Sequence, residues 1–182
     1  MDYRLVPFQQ GLEDDFFRLH CPANEAGWCH CVAWWVDSWD GWGERTAEQN
    51  RRLRESLLAG GHYDGYLLYN DDEPVAWCQV GRRDRLVKLV NQMQLLPDSE
   101  TWAITCFLVA LAYRRQGIAK QLLTMILADL RRSGIKAVEA YPKRGANLDA
   151  ADLWNGPEEM FVSAGFEFIK EVAQRAVVRM AL

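Results

Sequence analysis

The most continuous apolar run in the chain, Thr101 to Leu111 (TWAITCFLVAL), leads directly into a basic, glycine-containing turn and then into an amphipathic segment. A run this apolar, bounded by turn signals, reads as a central strand buried on both faces. After it, Ile118, Leu122, Leu123, Ile126, Leu127 and Leu130 recur at helical spacing, with Gly134 as a C-terminal stop. A strand buried on both sides needs neighbouring strands at its edges and helices over its faces. The unit therefore predicts a mixed α/β domain.

The flanking sequence supplies those neighbours. Tyr3 to Phe8 reads as an opening strand, and Gly11 to His20 carries Leu12, Phe16 and Leu19 at helical spacing. Thr46 followed by Gln49 predicts a capping box at the start of a helix that Gly60-Gly61 ends. Tyr63 to Tyr69 and Pro74 to Val80, separated by Asn70-Asp71-Asp72-Glu73, predict an antiparallel hairpin. Asp84 to Leu95 reads as a short helix, Ala137 to Tyr141 as a strand, and Pro142 to Asn155 as a loop. Pro157 suits the first turn of a short helix, and Phe166 to Ile169 with Ala173 to Met180 close the chain as two strands. The order β-α-α-β-β-(α)-β-α-β-α-β-β shows no repeat and no linker. With 182 residues it predicts a single domain over 1–182.

Charge and composition narrow the function. A net charge of -4 argues against a nucleic-acid binder, although Arg114, Arg115 and Lys120 make a local basic patch. No stretch of about 18 consecutive apolar residues occurs, so no membrane span is expected. Met1-Asp2-Tyr3-Arg4 does not resemble the start of a secretory signal, so the expected location is the cytoplasm. Five cysteines without an export signal predict thiols rather than a disulfide framework.

The chemistry is expected at the turn before the amphipathic helix. A helix N-terminus offers unpaired N–H groups and a partial positive charge, and phosphate oxygens suit both. Gly117 permits close backbone approach, Ala119 keeps the first turn small, and Arg114, Arg115 and Lys120 add cations. Neither a P-loop nor a dinucleotide fingerprint is present. The string Phe107-Leu108-Val109-Ala110-Leu111-Ala112-Tyr113-Arg114-Arg115-Gln116-Gly117-Ile118-Ala119 resembles the coenzyme-A-binding motif of GNAT superfamily N-acetyltransferases. That motif runs strand, Arg/Gln-x-x-Gly-x-Gly/Ala, helix. The downstream strand Val138 to Tyr141 and the pair Gly165-Phe166 extend the resemblance through the C-terminal half.

The resemblance implies a central, mostly antiparallel mixed sheet of about seven strands flanked by helices. It also implies acetyl-CoA as co-substrate and direct attack of an amine on the thioester. Phe107, Leu108 and Val109 would then offer backbone to pantetheine. Arg114, Arg115, Gln116, Gly117, Ile118, Ala119 and Lys120 would wrap the pyrophosphate. A Tyr that protonates the leaving thiolate in many members is replaced here by Phe161. Tyr141 and Cys106 are the candidate substitutes, each with a packing role as the alternative. Glu100, Asp64, Glu44 and Asp40 are conceivable bases.

Eight tryptophans occur, and Trp28, Trp34, Trp35, Trp39 and Trp42 fall within fifteen residues. The segment reads as a satellite core or, by its place in GNAT-like folds, as a wall of the acceptor pocket. On the second reading Trp28, Trp34 and Trp35, with Trp77 and Trp102 on nearby strands, would favour an apolar, aromatic or cationic acceptor. A small-molecule amine is the first expectation and a peptide N-terminus the second, with a homodimer left open. His20, Cys21, Cys29, His30 and Cys31 offer five ligands in twelve residues, but Cys-x-Cys without a second pair fits structural zinc poorly. No metal is expected. A non-catalytic acyl-CoA-binding domain and a zinc-stabilised interaction domain are the competing functions.

Overall fold

The computed structural model describes residues 2–182, apart from the side chains of Pro22, Glu25 and Ala26. Seven strands form one sheet: β1 (Tyr3–Pro7), β2 (Tyr66–Asn70), β3 (Glu73–Arg82), β4 (Thr101–Val109), β5 (Ala137–Ala140), β6 (Glu167–Val172) and β7 (Arg175–Ala181). Their spatial order is β1-β2-β3-β4-β5-β7-β6. Every pairing is antiparallel except that of β4 with β5. Five helices accompany them: α1 (Glu13–Leu19), α2 (Ala47–Ala59), α3 (Val87–Gln92), α4 (Ile118–Arg132) and α5 (Glu158–Ser163). No helix among the described residues is long and apolar enough to cross a membrane.

The long helix α4 forms where the apolar stripe dictates. Ile118, Leu122, Leu123, Ile126, Leu127 and Leu130 are buried against Val75, Ile104, Phe107 and Val138 of the sheet and Phe161 of α5. Each such side chain contributes about 1.5–3 kcal/mol of burial. The helix ends in a Schellman motif: Ile135 N–H bonds the Leu130 carbonyl at 3.1 Å and Gly134 N–H that of Arg131 at 3.1 Å. Gly134 takes the left-handed φ of +73° that this ending requires. At α2 the capping box closes both ways. Gln49 N–H donates to Thr46 Oγ1 at 3.2 Å, and Thr46 N–H to Gln49 Oε1 at 2.8 Å.

Several boundaries differ from the sequence reading for local reasons. The segment read as one helix over 84–95 splits into a 3-10 turn (Arg83–Arg85) and α3, and Gln94 at φ +51° ends it. The strand expected through Leu111 stops at Val109, where the chain turns into a 3-10 helix over Leu111–Tyr113. The strand expected from Tyr63 begins at Tyr66. Before it, Gly65 lies where a Cβ would come within 2.2 Å of the Trp77 ring. Pro157 caps α5 rather than occupying its first turn.

The feature that positions the site is a break between β4 and β5. They pair only over Thr101–Ile104 and Ala137–Ala140. On its other edge β4 stays paired with β3 out to Val109, through an irregularity where Gln79 faces Cys106 and Val80 faces Ile104. Thr105 is the extra residue, and the bulge bends β4 away from β5. The sheet opens there.

Candidate active site

Hydrogen-bond alternation decides which backbone groups face the opening. Ala110 N–H bonds the Val75 carbonyl at 2.9 Å, so the register makes Leu108–Trp77 and Cys106–Gln79 the bonded pairs. The polar backbone of Phe107 and Val109 therefore points away from β3, into the gap. Two side chains already use neighbouring acceptors on this edge. Asn155 Nδ2 donates to the Thr105 carbonyl at 2.7 Å, and Arg114 Nε donates to the Val109 carbonyl at 3.0 Å. Of the three strand residues expected to offer backbone, Leu108 directs its own to Trp77 and lines the gap by side chain.

The turn that follows is shaped by backbone. Arg115 (φ +60°) and Gly117 (φ +79°) both adopt left-handed conformations, and Gly117 is the N-cap of α4. The first intrahelical bond is Gln121 N–H to the Gly117 carbonyl at 3.0 Å. The N–H groups of Ile118, Ala119 and Lys120 thus precede the ladder and point out of the helix end. The Ile118 side chain is buried in the core, so its contribution here is backbone alone. Arg115, Gln116 and Lys120 are exposed around the turn, with Gln116 Nε2 donating to the Ala112 carbonyl at 2.8 Å.

A cavity of about 1020 Å³ runs from this turn along the open edge of β4. Phe107, Leu108, Val109, Arg114 and Ala119 form one end of it. Trp28, Trp39, Trp42 and Trp154 wall the other, with Lys143, Asp149 and Arg175 among the polar groups. The rings support one another: Trp28–Trp42 centroids are 5.3 Å apart and Trp39–Trp42 6.0 Å. Trp34 packs behind, 5.1 Å from Trp39 and 5.9 Å from Trp154, and does not itself line the space. Lys88 Nζ sits 3.3 Å from the Trp39 ring centroid, and partial burial holds its pKa down to about 8.

Among the tryptophans expected at the acceptor, Trp28 alone reaches the cavity. Trp35 packs on His62 at 4.9 Å. Trp77 lies in the core between Phe8 (5.1 Å) and Phe16 (4.9 Å), and Trp102 packs on the cluster under α4. Sequence reasoning missed Trp154, Asn155, Lys143 and Arg175, which come from segments read as loop or plain strand. Only spatial convergence identifies them.

The two candidate acids lie elsewhere. The Tyr141 hydroxyl, fully buried, donates to Glu139 Oε2 at 2.8 Å, and Glu139 is itself held by Arg83 at 2.8 Å and Arg179 at 3.3 Å. Burial and the Glu139 charge push the Tyr141 pKa well up. Cys106 is buried on the face of β4 opposite Phe107, and its hydrogen bond with Cys31, with burial, raises its thiol well above the usual value. Neither side chain lines the cavity. Phe161, also buried, stacks edge-on to Phe166 at 5.3 Å. The four candidate bases are absent from the lining as well: Asp64 is paired with Arg85 at 2.9 Å and Asp40 accepts from Ser38 at 3.1 Å, while Glu44 and Glu100 are exposed.

The Cys-His segment is a structural clasp. The fully buried Arg54 of α2 donates to the carbonyls of His30 (3.0 Å) and Cys31 (2.5 Å) and to Gln79 Oε1 (3.0 Å). The Cys31 thiol donates to the same Gln79 oxygen at 2.8 Å and accepts Trp77 Nε1–H at 3.2 Å. His20 Nδ1 meets the Phe16 carbonyl at 2.9 Å. Among the described residues no group of three or more His, Cys, Asp or Glu is placed to hold a metal ion.

The model of the acetyltransferase (GNAT) family matches residues 16–155, most of the chain and all of the elements just described between α1 and Asn155. The chain belongs to the GNAT family. Its members are acyl-CoA-dependent N-acetyltransferases with acetyl-CoA as co-substrate. Solved structures share the fold. A GNAT acetyltransferase from Listeria monocytogenes is 12% identical at a TM-score of 0.63, covering 99% of this chain and 95% of that one. An acetyltransferase from Thermus thermophilus is 16% identical (TM-score 0.59), covering 100% and 98%. The PaiA N-acetyltransferase of Thermoplasma acidophilum, solved with coenzyme A, is 11% identical (TM-score 0.57) over the whole of both chains. Comparison with curated protein sequences returns no match. The expected sheet of seven mostly antiparallel strands is the one observed.

Proposed function

We propose that this GNAT acetyltransferase acetylates the amine of a small molecule held between the tryptophan wall and the open edge of β4. The carrying observation is that one cavity is lined both by that edge and by Trp28, Trp39, Trp42 and Trp154. Coenzyme A fits the other end: outward N–H groups at α4, the left-handed Gly117, and the Phe107 backbone and Val109 N–H turned to the gap match a pyrophosphate and a pair of amides. Acetyl-CoA supplies the activated acyl group. The Val109 N–H faces the gap, where a fixed donor stabilises negative charge developing on a carbonyl oxygen by a few kcal/mol.

Proton handling follows from the lining. Asp149 is the one carboxylate among the described lining residues, and Lys143 is paired with Asp152. The neutral amine is the nucleophile, and the proton its nitrogen loses on attack passes to water in the cavity. With the Tyr141 hydroxyl committed to Glu139 and phenylalanine at 161, the departing thiolate takes its proton from water.

A thiol-release assay over a panel of amines, amino acids and polyamines tests this, alongside calorimetric titration of acetyl-CoA. Saturable acetyl-CoA binding with release on a small amine is expected. Release only on peptide N-termini would move the acceptor class, and no acyl-CoA binding would refute the cofactor placement.

A further inference from the structure

Arg175, the first residue of β7, is a buried cation that the protein leaves half used. It is 9% exposed and lines the cavity at its tryptophan end. Nη1 donates to Asn155 Oδ1 at 2.7 Å and to the Tyr141 carbonyl at 3.1 Å. Those two bonds fix the guanidinium plane. Among the described residues Nε and Nη2 make no hydrogen bond and Arg175 has no ion pair. The nearest carboxylate influence comes from Asp152, which is bonded to Lys143 instead. The guanidinium carbon stands 5.4 Å from the Trp154 ring centroid and 5.6 Å from that of Trp34.

Buried charges in folded proteins are normally paired, because an unpaired one costs several kcal/mol of lost solvation. An arginine oriented by two neutral acceptors, with its remaining edge turned to a cavity, is arranged for an anion supplied from outside. Its planar fork matches a carboxylate in two-point contact. The coenzyme's phosphates have their own place at the α4 end, so this cation belongs to the acceptor. Around it the surface is aromatic: Trp28, Trp39, Trp42 and Trp154 offer ring faces and edges to an apolar body.

We infer that the acceptor is an amino acid with a large apolar or aromatic side chain, its carboxylate held by the free edge of Arg175 and its side chain by the tryptophan wall. This rests on the small-molecule reading above and narrows it. Arg175 is then the specificity-determining residue of the acceptor site.

The test compares matched pairs differing only in the carboxylate: phenylalanine with phenethylamine and tryptophan with tryptamine. In the wild type, kcat/KM is expected to favour the amino acid at least tenfold. In Arg175→Met that ratio falls toward one, chiefly through KM for the amino acid, beyond any loss that both members of the pair share. Arg175→Lys keeps part of the preference, which separates charge from folding. Product binding needs no turnover: N-acetylphenylalanine should bind the coenzyme-A-loaded protein at least tenfold tighter than N-acetylphenethylamine, and Arg175→Met should erase the difference. Equal kcat/KM for the two members of each pair in the wild type, or equal loss of both in Arg175→Met, overturns the inference. If no small amine turns over, the acceptor class proposed above fails, and equal binding of the two acetylated products overturns the role of Arg175 separately.

Discussion

The two ends of the cavity are built by different means. The proposed coenzyme-A end is continuous in sequence, from Phe107 to Lys120, and offers mainly backbone: a bulged strand edge, a left-handed glycine and a helix start. The proposed acceptor end is assembled from side chains of residues 28–42, 143–156 and 175, which meet only after folding. The first is fixed by strong local geometry and the second by long-range clasps. Perturbations should therefore separate them.

The largest separation is expected from Arg54→Met. Arg54 ties the His30 and Cys31 carbonyls and Gln79 to α2 beneath the tryptophan segment. Its loss takes the Arg54 donors from two buried carbonyls, each costing about 1–3 kcal/mol, and leaves Gln79 Oε1 with the Cys31 thiol alone. Stability to urea should drop by about 3 kcal/mol or more. In the folded fraction the KM for amine should rise while acetyl-CoA affinity changes little. Equal loss at both ends would show that the wall and the coenzyme site form one cooperative unit.

Acid should loosen the same region first. His20 and His30 are held neutral mainly by burial, His20 well below the usual value and His30 at about 4, with Arg51 and Arg54 opposing protonation of His30 and Glu55 weakly favouring it. Their folded pKa values lie below the unfolded ones, so the unfolded chain binds more protons as pH falls below about 6.5. This stabilisation is full above that pH and is lost on the way down to about 4 and beyond. Urea midpoints should fall across this window, and the loss should shrink in His30→Gln. An acid response unchanged in that variant would assign it to other groups.

Gly117→Val probes the other end. Open space surrounds a Cβ there, so the cost is conformational: a β-branched residue at φ +79° loses about 1–2 kcal/mol. Acetyl-CoA affinity should fall at least tenfold by calorimetry, whereas binding of acceptor analogues to the tryptophan wall should persist. Unchanged acetyl-CoA affinity would place the phosphates elsewhere.

This contrast also explains what the sequence could tell. The run from Thr101, the stripe from Ile118 and the capping box at Thr46 are local signals; both helices formed where their patterns said, and the strand stops two residues short, at Val109. The β4–β5 opening carries no local pattern, because the Thr105 bulge depends on register against β3. Tyr141 and Cys106 attract attention as reactive types, yet burial against Glu139 and Cys31 commits both to the interior. Trp154, Asn155 and Arg175 carry no local pattern at all. Their meeting depends on β5, β7 and the intervening loop closing over one edge of the sheet.

The smallest expected effect tests the wall residue by residue. Trp28 and Trp42 pack 5.3 Å apart, centroid to centroid, on the cavity surface, and both are partly exposed there. Removing one ring takes a single contact from a bound acceptor and leaves its neighbour in place. An aromatic pair is worth about 0.5–1.5 kcal/mol, so Trp28→Ala should raise the KM for an aromatic acceptor severalfold with little change in kcat. Acetyl-CoA affinity should stay within twofold, because that end of the cavity is made by another part of the chain. A matched loss for a small aliphatic amine would mean that Trp28 shapes the pocket rather than contacts the acceptor ring. A loss confined to aromatic acceptors would make it a direct contact.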